Sequence, residues 1–204
     1  MAGGQDDNVH TYAQHNGLWT EVGPPINLGH AGDLMSTETF VGPTAAGLAI
    51  TADGKTAVVA NYETDSITVV GVVTGKVLTE FDLRPGLINP AQTGVPGGEF
   101  PFGVAIKGNN TIYYVYSSRD RQIDVLHLSG GTVTLTKRIP VDGNPAKMIL
   151  NKAQSELFVT ANNSDSLIVI DTASDVVSAP VNSTAPSDYF EDGKSVPKGT
   201  IRTV

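Results

Sequence analysis

Short apolar runs alternate with turn-forming clusters along this chain, and the runs recur. Residues 46–70, AGLAITADGKTAVVANYETDSITVV, align without gaps with residues 102–126, FGVAIKGNNTIYYVYSSRDRQIDVL, at an offset of 56, and with residues 146–170, AKMILNKAQSELFVTANNSDSLIVI, at an offset of 100. Apolar positions coincide where a sheet needs them: Ile50, Ile106 and Leu150; Val59, Val115 and Val159; Ile67, Ile123 and Leu167; Val69, Val125 and Val169. Polar segments separate them, among them Ala52-Asp53-Gly54-Lys55, Gly108-Asn109-Asn110-Thr111 and Lys152-Ala153-Gln154-Ser155. Each unit therefore predicts strand, tight turn, strand, polar loop, strand. A further turn leads to a fourth strand over residues 76–83, 132–140 and 176–181. Four short antiparallel strands in about 44 residues is the pattern of a propeller blade.

The expectation is an all-β chain, a β-propeller fragment of about three complete four-stranded blades with partial blades at both ends. Residues 1–16 read as a flexible leader and 17–41 as a partial blade, with short strands at 18–22 and 26–28. Blade 1 is expected over 42–84, a long connector over 85–101, blade 2 over 102–141, blade 3 over 142–183, and a truncated blade or tail over 184–204. The connector is about 12 residues longer than its counterpart, because the second unit begins 56 residues after the first and the third only 44 after the second. Loops of such length in compact modules are often functional.

Asp53-Gly54-Lys55, Val58-Val59-Ala60-Asn61 and Asp65-Ser66-Ile67 in the first unit, with Phe158-Val159-Thr160-Ala161-Asn162 and Val169-Ile170-Asp171-Thr172 in the third, resemble the YVTN repeat of bacterial propellers. The resemblance covers residues 42–183 and is to the propeller part of propeller/phosphoesterase fusion proteins. It implies the propeller fold and a periplasmic or extracellular parent. Asp171 keeps the repeat's acidic turn residue, whereas the equivalent positions hold Gly71 and His127. The change removes a local turn cap, not a reacting group.

Composition narrows the function. A net charge of -8, with only 13 Lys and Arg, opposes nucleic-acid binding, which relies on clustered basic side chains. Arg119 and Arg121 form the densest basic spot, and Asp120 and Asp124 partly neutralise it. No apolar run is long enough to span a membrane, and the first residues lack the pattern of a signal peptide. The absence of cysteine excludes disulfides, thiolate nucleophiles, Cys-ligated zinc and covalently attached haem. Neither a G-x-S-x-G motif nor a phosphate loop is present.

Four histidines, His10, His15, His30 and His127, lack any paired metal-ligand spacing. His30 with Asp33 is the best candidate pair for a divalent cation, Zn²⁺, Ca²⁺ or Mn²⁺. Glu63 and Asp65 fall on the loop after the second strand of blade 1, and Asp120 and Asp165 on the corresponding loops of blades 2 and 3. The aspartates at repeat positions read as turn caps. Glu99 lies outside the repeat, and with Glu63 it is the candidate general base. Strand alternation puts Tyr114 and Tyr116 on one face and Tyr113 on the other, in packing roles. The reading that follows is a non-catalytic ligand-binding or assembly module whose incomplete ring closes by self-association, as a homodimer or higher homo-oligomer. The alternative is a metal-assisted hydrolase of lactones, esters or phosphotriesters at the channel or the subunit interface.

Overall fold

The computed structural model describes residues 2–4, 6–28, 42–108, 110–164 and 166–182. The first strands are short: β1 (Asn8–Val9) pairs with β4 (Ile26–Asn27), and β2 (Tyr12–His15) forms a hairpin with β3 (Leu18–Glu21). Three four-stranded antiparallel sheets follow in chain order. Blade 1 is β5 (Ala45–Ile50), β6 (Thr56–Asn61), β7 (Ser66–Gly71) and β8 (Lys76–Asp82). The connector carries a one-turn helix, α1 (Pro85–Ile88), and a 3₁₀ turn at Pro90–Gln92. Blade 2 is β9 (Pro101–Ile106), β10 (Ile112–Ser117), β11 (Gln122–Ser129) and β12 (Thr132–Pro140). Blade 3 is β13 (Asn144–Leu150), β14 (Glu156–Asn162), β15 (Ser166–Asp171) and β16 (Val176–Asn182). This is the all-β, incomplete propeller that the repeats predict.

The repeat fixes backbone detail as well as strand order. The first turn of each blade places Gly54, Asn110 and Gln154, all at one repeat position, in the left-handed region with φ of 70°, 62° and 57°. Each blade also has a register shift between its third and fourth strands at the same place, after Val69, Val125 and Val169. A second bulge near the start of each first strand leaves Ala46 and Gly47, Phe102, and Ala146 unpaired. Bulges bend a strand, raise its twist and re-aim side chains.

Alternating side chains build two cores between the blades. Val58, Ile67, Val69 and Leu83 of blade 1 pack against Tyr113, Val115, Leu126 and Val133 of blade 2. Tyr114, Tyr116, Ile123 and Val125 of blade 2 pack against Leu157, Val159, Ile168 and Ile170 of blade 3. The tyrosines thus divide as the alternation predicts. Each fully buried aliphatic or aromatic side chain contributes roughly 1.5–3 kcal/mol, so these interfaces hold the blades together. First strands β5 and β9 run close enough that a Cβ on Gly47 would lie 2.9 Å from the Gly103 Cα.

The other face of blade 1 is covered by Val9, Ile26 and Leu28, which bury Ala57, Val59 and Val70. The segment expected as a flexible leader therefore carries β1 and β2 and packs on the blade. Backbone bonds Ala45 N to Gly4 O (3.0 Å) and Leu28 N to Asp7 O (2.8 Å) hold it there, and Asp7 Oδ1 accepts from Thr44 N at 2.6 Å. The hairpin β2–β3 stands out from this layer, with Leu18 74% and Trp19 68% exposed. The tail expected over 184–204 lies outside the described residues.

Candidate functional site at the channel rim

In each blade the loop after the second strand and the connector into the first strand lie at the same end. Between blades 1 and 2 they interlock. Leu83 N donates to Asp65 O at 2.8 Å and Ser118 N to Phe100 O at 3.1 Å, so the connector is tied to the loops of both blades. Carboxylates make the remaining ties. Asp65 Oδ1 accepts from Phe100 N (2.9 Å), Asp120 Oδ2 from Glu99 N (2.8 Å), and Asp82 Oδ1 from Arg84 N (2.9 Å). Burial pushes the Asp65 carboxyl up to about 6, with the Phe100 amide and the Arg84 guanidinium opposing the rise. Phe100 itself adopts φ 52°, a strained value for an aromatic residue that these bonds help maintain.

Glu99 meets Arg119, its Oε2 lying 2.7 Å from Nη1. The same guanidinium sits 5.7 Å from the centre of the Phe100 ring. Phe100 stacks at a tilt on Tyr62 with centroids 4.8 Å apart, Tyr62 meets Phe102 edge to face at 5.9 Å, and Phe102 stacks on Tyr116 at 6.1 Å. Tyr116 is fixed by donating to Ala146 O at 2.7 Å. Its ring fills the space over Gly103, where a Cβ would come within 2.9 Å of the tyrosine Cζ. Phe102 is the bulged residue of β9, and 49% of it remains exposed. On the connector side of Glu99 lies a cavity of about 290 Å³, walled by Arg84, Leu87, Thr93, Val95 and Pro96.

Behind the rim, Asp124 of β11 is fully buried. It accepts from Ser117 Oγ (2.9 Å), Gln122 Nε2 (2.9 Å) and Arg138 Nη1 (2.8 Å). Arg138 also donates to Leu83 O of blade 1. Burial raises the Asp124 carboxyl to about 6 although Arg138 pulls the other way.

Of the residues singled out from the sequence, Glu99 is at the rim, bound to Arg119. Glu63 is exposed on the blade 1 loop, its amide donating to Pro43 O at 3.2 Å, and takes no part in the Glu99 network. His30, Asp33 and Asp165 lie outside the described residues. His10 pairs with Glu21 at 2.5 Å beside the hairpin, away from the rim. No group of three or more His, Asp or Glu side chains among the described residues is arranged to hold a metal ion. The repeat pattern alone does not predict the aromatic row or the Asp124 network. Their signal was nonetheless present, since Phe102 aligns with Ala46 and Ala146, Tyr62 with Ser118 and Asn162, and Asp124 with Thr68 and Ile168.

A second, apolar cavity of about 750 Å³ lies between the hairpin and blade 1, lined by His10, Tyr12, Trp19, Leu48, Ile50 and Val72. No helix among the described residues is long and apolar enough to cross a membrane.

No curated protein sequence matches this chain. Solved structures similar to it include a functionally unknown protein from Desulfotomaculum acetoxidans, with 19% identity and a TM-score of 0.65 over 87% of this chain and 51% of that one. A protein from Lactobacillus plantarum matches with 16% identity and a TM-score of 0.61, covering 84% of this chain and 48% of the other. The periplasmic gluconolactonase of Pseudomonas aeruginosa matches with 20% identity and a TM-score of 0.55, covering 70% and 41%. At these identities the likeness is one of fold, and the chain spans about half the length of these proteins or less. The family model described as YNCE-like beta-propeller matches residues 36–193, the whole repeat region with a few residues on either side, and the chain therefore belongs to the YNCE-like beta-propeller family.

Proposed function

We propose that this chain is a non-catalytic binding and assembly module whose propeller ring is completed by a second copy of itself. The observation that carries the reading is the unfinished face of blade 3. Ile149, Phe158 and Val169 form a stripe across β13, β14 and β15, paired residue to residue. Their counterparts Val58 and Val69 in blade 1 are buried against blade 2, and Tyr114 and Val125 in blade 2 are buried against blade 3. In blade 3 the stripe meets no further blade among the described residues; Ile149 is 67% exposed, and Phe158 and Val169 are partly exposed beside it. Exposed apolar patches of this kind mark interaction surfaces.

The non-catalytic part of the reading is supported by how the rim uses its acids. Asp65, Asp82 and Asp120 are spent on connector amides and Glu99 on Arg119, so these carboxylates build the loop and are not poised to accept a substrate proton. A periplasmic or extracellular setting belongs to the same proposal and rests on the family resemblance.

Light scattering on the purified chain tests assembly. The expected mass is twice the 21.3 kDa of one chain or a higher multiple, and Phe158→Asp shifts it to 21.3 kDa while the circular dichroism spectrum is kept. A folded wild-type chain that remains at 21.3 kDa overturns the closure. Hydrolysis of a lactone, ester or phosphotriester that a chelator abolishes overturns the non-catalytic assignment.

A further inference from the structure

We propose that the rim of blade 2 carries a subsite for a neutral oligosaccharide, with the open face of Phe102 stacking on one sugar ring and the Glu99–Arg119 pair binding hydroxyl groups of another. The inference names the ligand of the binding role proposed above. It does not need the ring to close, because every residue of the subsite belongs to blades 1 and 2 and the connector between them.

The repeat provides the first argument. All three blades bulge at the start of their first strand, and where blades 1 and 3 place Ala46 and Ala146, blade 2 places Phe102. Alanine meets the needs of the fold at that position, so the large ring is not there to satisfy the repeat. It also buries poorly, at 49% exposure. Yet it is held firmly, with Tyr116 stacked beneath it and the edge of Tyr62 against it. A fixed aromatic face turned to solvent at a bulge is a preorganised contact surface.

The flanking chemistry selects the ligand class. Contacts of 5.9, 4.8 and 5.7 Å link Phe102 through Tyr62 and Phe100 to Arg119, so the exposed ring and the ion pair are separate contact points joined by one aromatic row. It ends in a carboxylate and a guanidinium that are paired with each other, and Arg119 is 62% exposed. Planar polar groups of this kind offer both an acceptor and donors to hydroxyls. A wholly apolar ligand would strip water from that pair without replacing its hydrogen bonds. A polyanion would face Glu99 and Asp120 in a chain of net charge -8.

Calorimetric titration of the full chain with maltose, cellobiose and lactose, with indole as an aromatic control, tests the assignment. At least one disaccharide is expected to bind at millimolar concentration or better. Phe102→Ala, which installs the residue of the other two blades, is expected to weaken it about tenfold, the weight of one aromatic contact. Arg119→Gln is expected to weaken it several-fold while leaving indole unaffected. Absence of binding by all three sugars, or binding unchanged in Phe102→Ala with its melting temperature preserved, overturns the subsite. Indole binding that excludes the sugars overturns the ligand class. Masses from the same samples keep the two proposals apart: sugar binding by a monomer leaves the subsite standing and removes the closure, and a sugar-silent dimer does the reverse.

Discussion

Replacing Asp124 with leucine removes a carboxylate that is fully buried where blade 2 meets blade 1. Three donors lose their acceptor: Ser117 Oγ, Gln122 Nε2 and Arg138 Nη1, at 2.9, 2.9 and 2.8 Å. The most expensive loss is that of Arg138, whose side chain is only 21% exposed and would keep its charge without a counter-ion. Breaking a buried pair from one side costs about 3–5 kcal/mol. At roughly 2–4 °C per kcal/mol for a chain of this size, the melting temperature should fall by roughly 6–20 °C. Adding Arg138→Met removes the stranded charge, so the double variant should be more stable than Asp124→Leu alone. What remains is the Leu83 carbonyl that Arg138 had served and the Ser117 and Gln122 donors that Asp124 had served, each worth about 1–3 kcal/mol. Urea unfolding at pH 8, where Asp124 is ionised, gives both values from the shift in midpoint at constant slope. A single-variant loss under about 1 kcal/mol, or a double variant no better than the single, would refute the view that this pair is an electrostatic clamp between the blades.

Stability should also depend on acidity in an uncommon direction. Asp65 and Asp124 are both raised by burial from 3.8 to about 6, so between these values the native state holds more protons than the unfolded chain. Their contribution is full below pH 3.8 and is lost as pH rises through 6; a denaturation series from pH 4 to 7 in which these two sites add stability with rising pH would contradict it. Gly47→Ala should loosen the contact between blades 1 and 2, because its Cβ would press on the Phe102 carbonyl and lie 2.9 Å from the Gly103 Cα, both backbone atoms. A loss of about 1–3 kcal/mol is expected in the same urea assay, and a neutral result would mean that the two first strands can move apart freely.

How far the sequence discloses this protein depends on whether a feature obeys the repeat. Ile67, Ile123 and Leu167 can be aligned because every blade needs an apolar side chain at that strand position, and their shared spacing gave strand number, order and turn placement. The β1–β4 pair carries no such signal. It joins Asn8–Val9 to Ile26–Asn27, two residues on each side, too short for alternation to show, and its stability comes from the blade beneath it. Glu99 could be noticed as an acid outside the repeat, but its partner Arg119 belongs to a loop of the following blade, and only the path of the connector brings the two together.

The least visible features were departures within the aligned positions themselves. Phe102 against two alanines, Tyr62 against Ser118 and Asn162, and Asp124 against Thr68 and Ile168 all sit where the scaffold is built equally well by different residues in the neighbouring blades. The chain thus contains its own control experiment. A position at which two blades show that a small or apolar side chain suffices, and the third spends an aromatic ring or a buried charge, is under a demand that the fold does not impose. Asp124 answers that demand inside the molecule, by clamping blade 2 to Leu83 through Arg138. Phe102 has about half its surface exposed and, among the described residues, no such use for that face, which is the surface the proposed subsite employs.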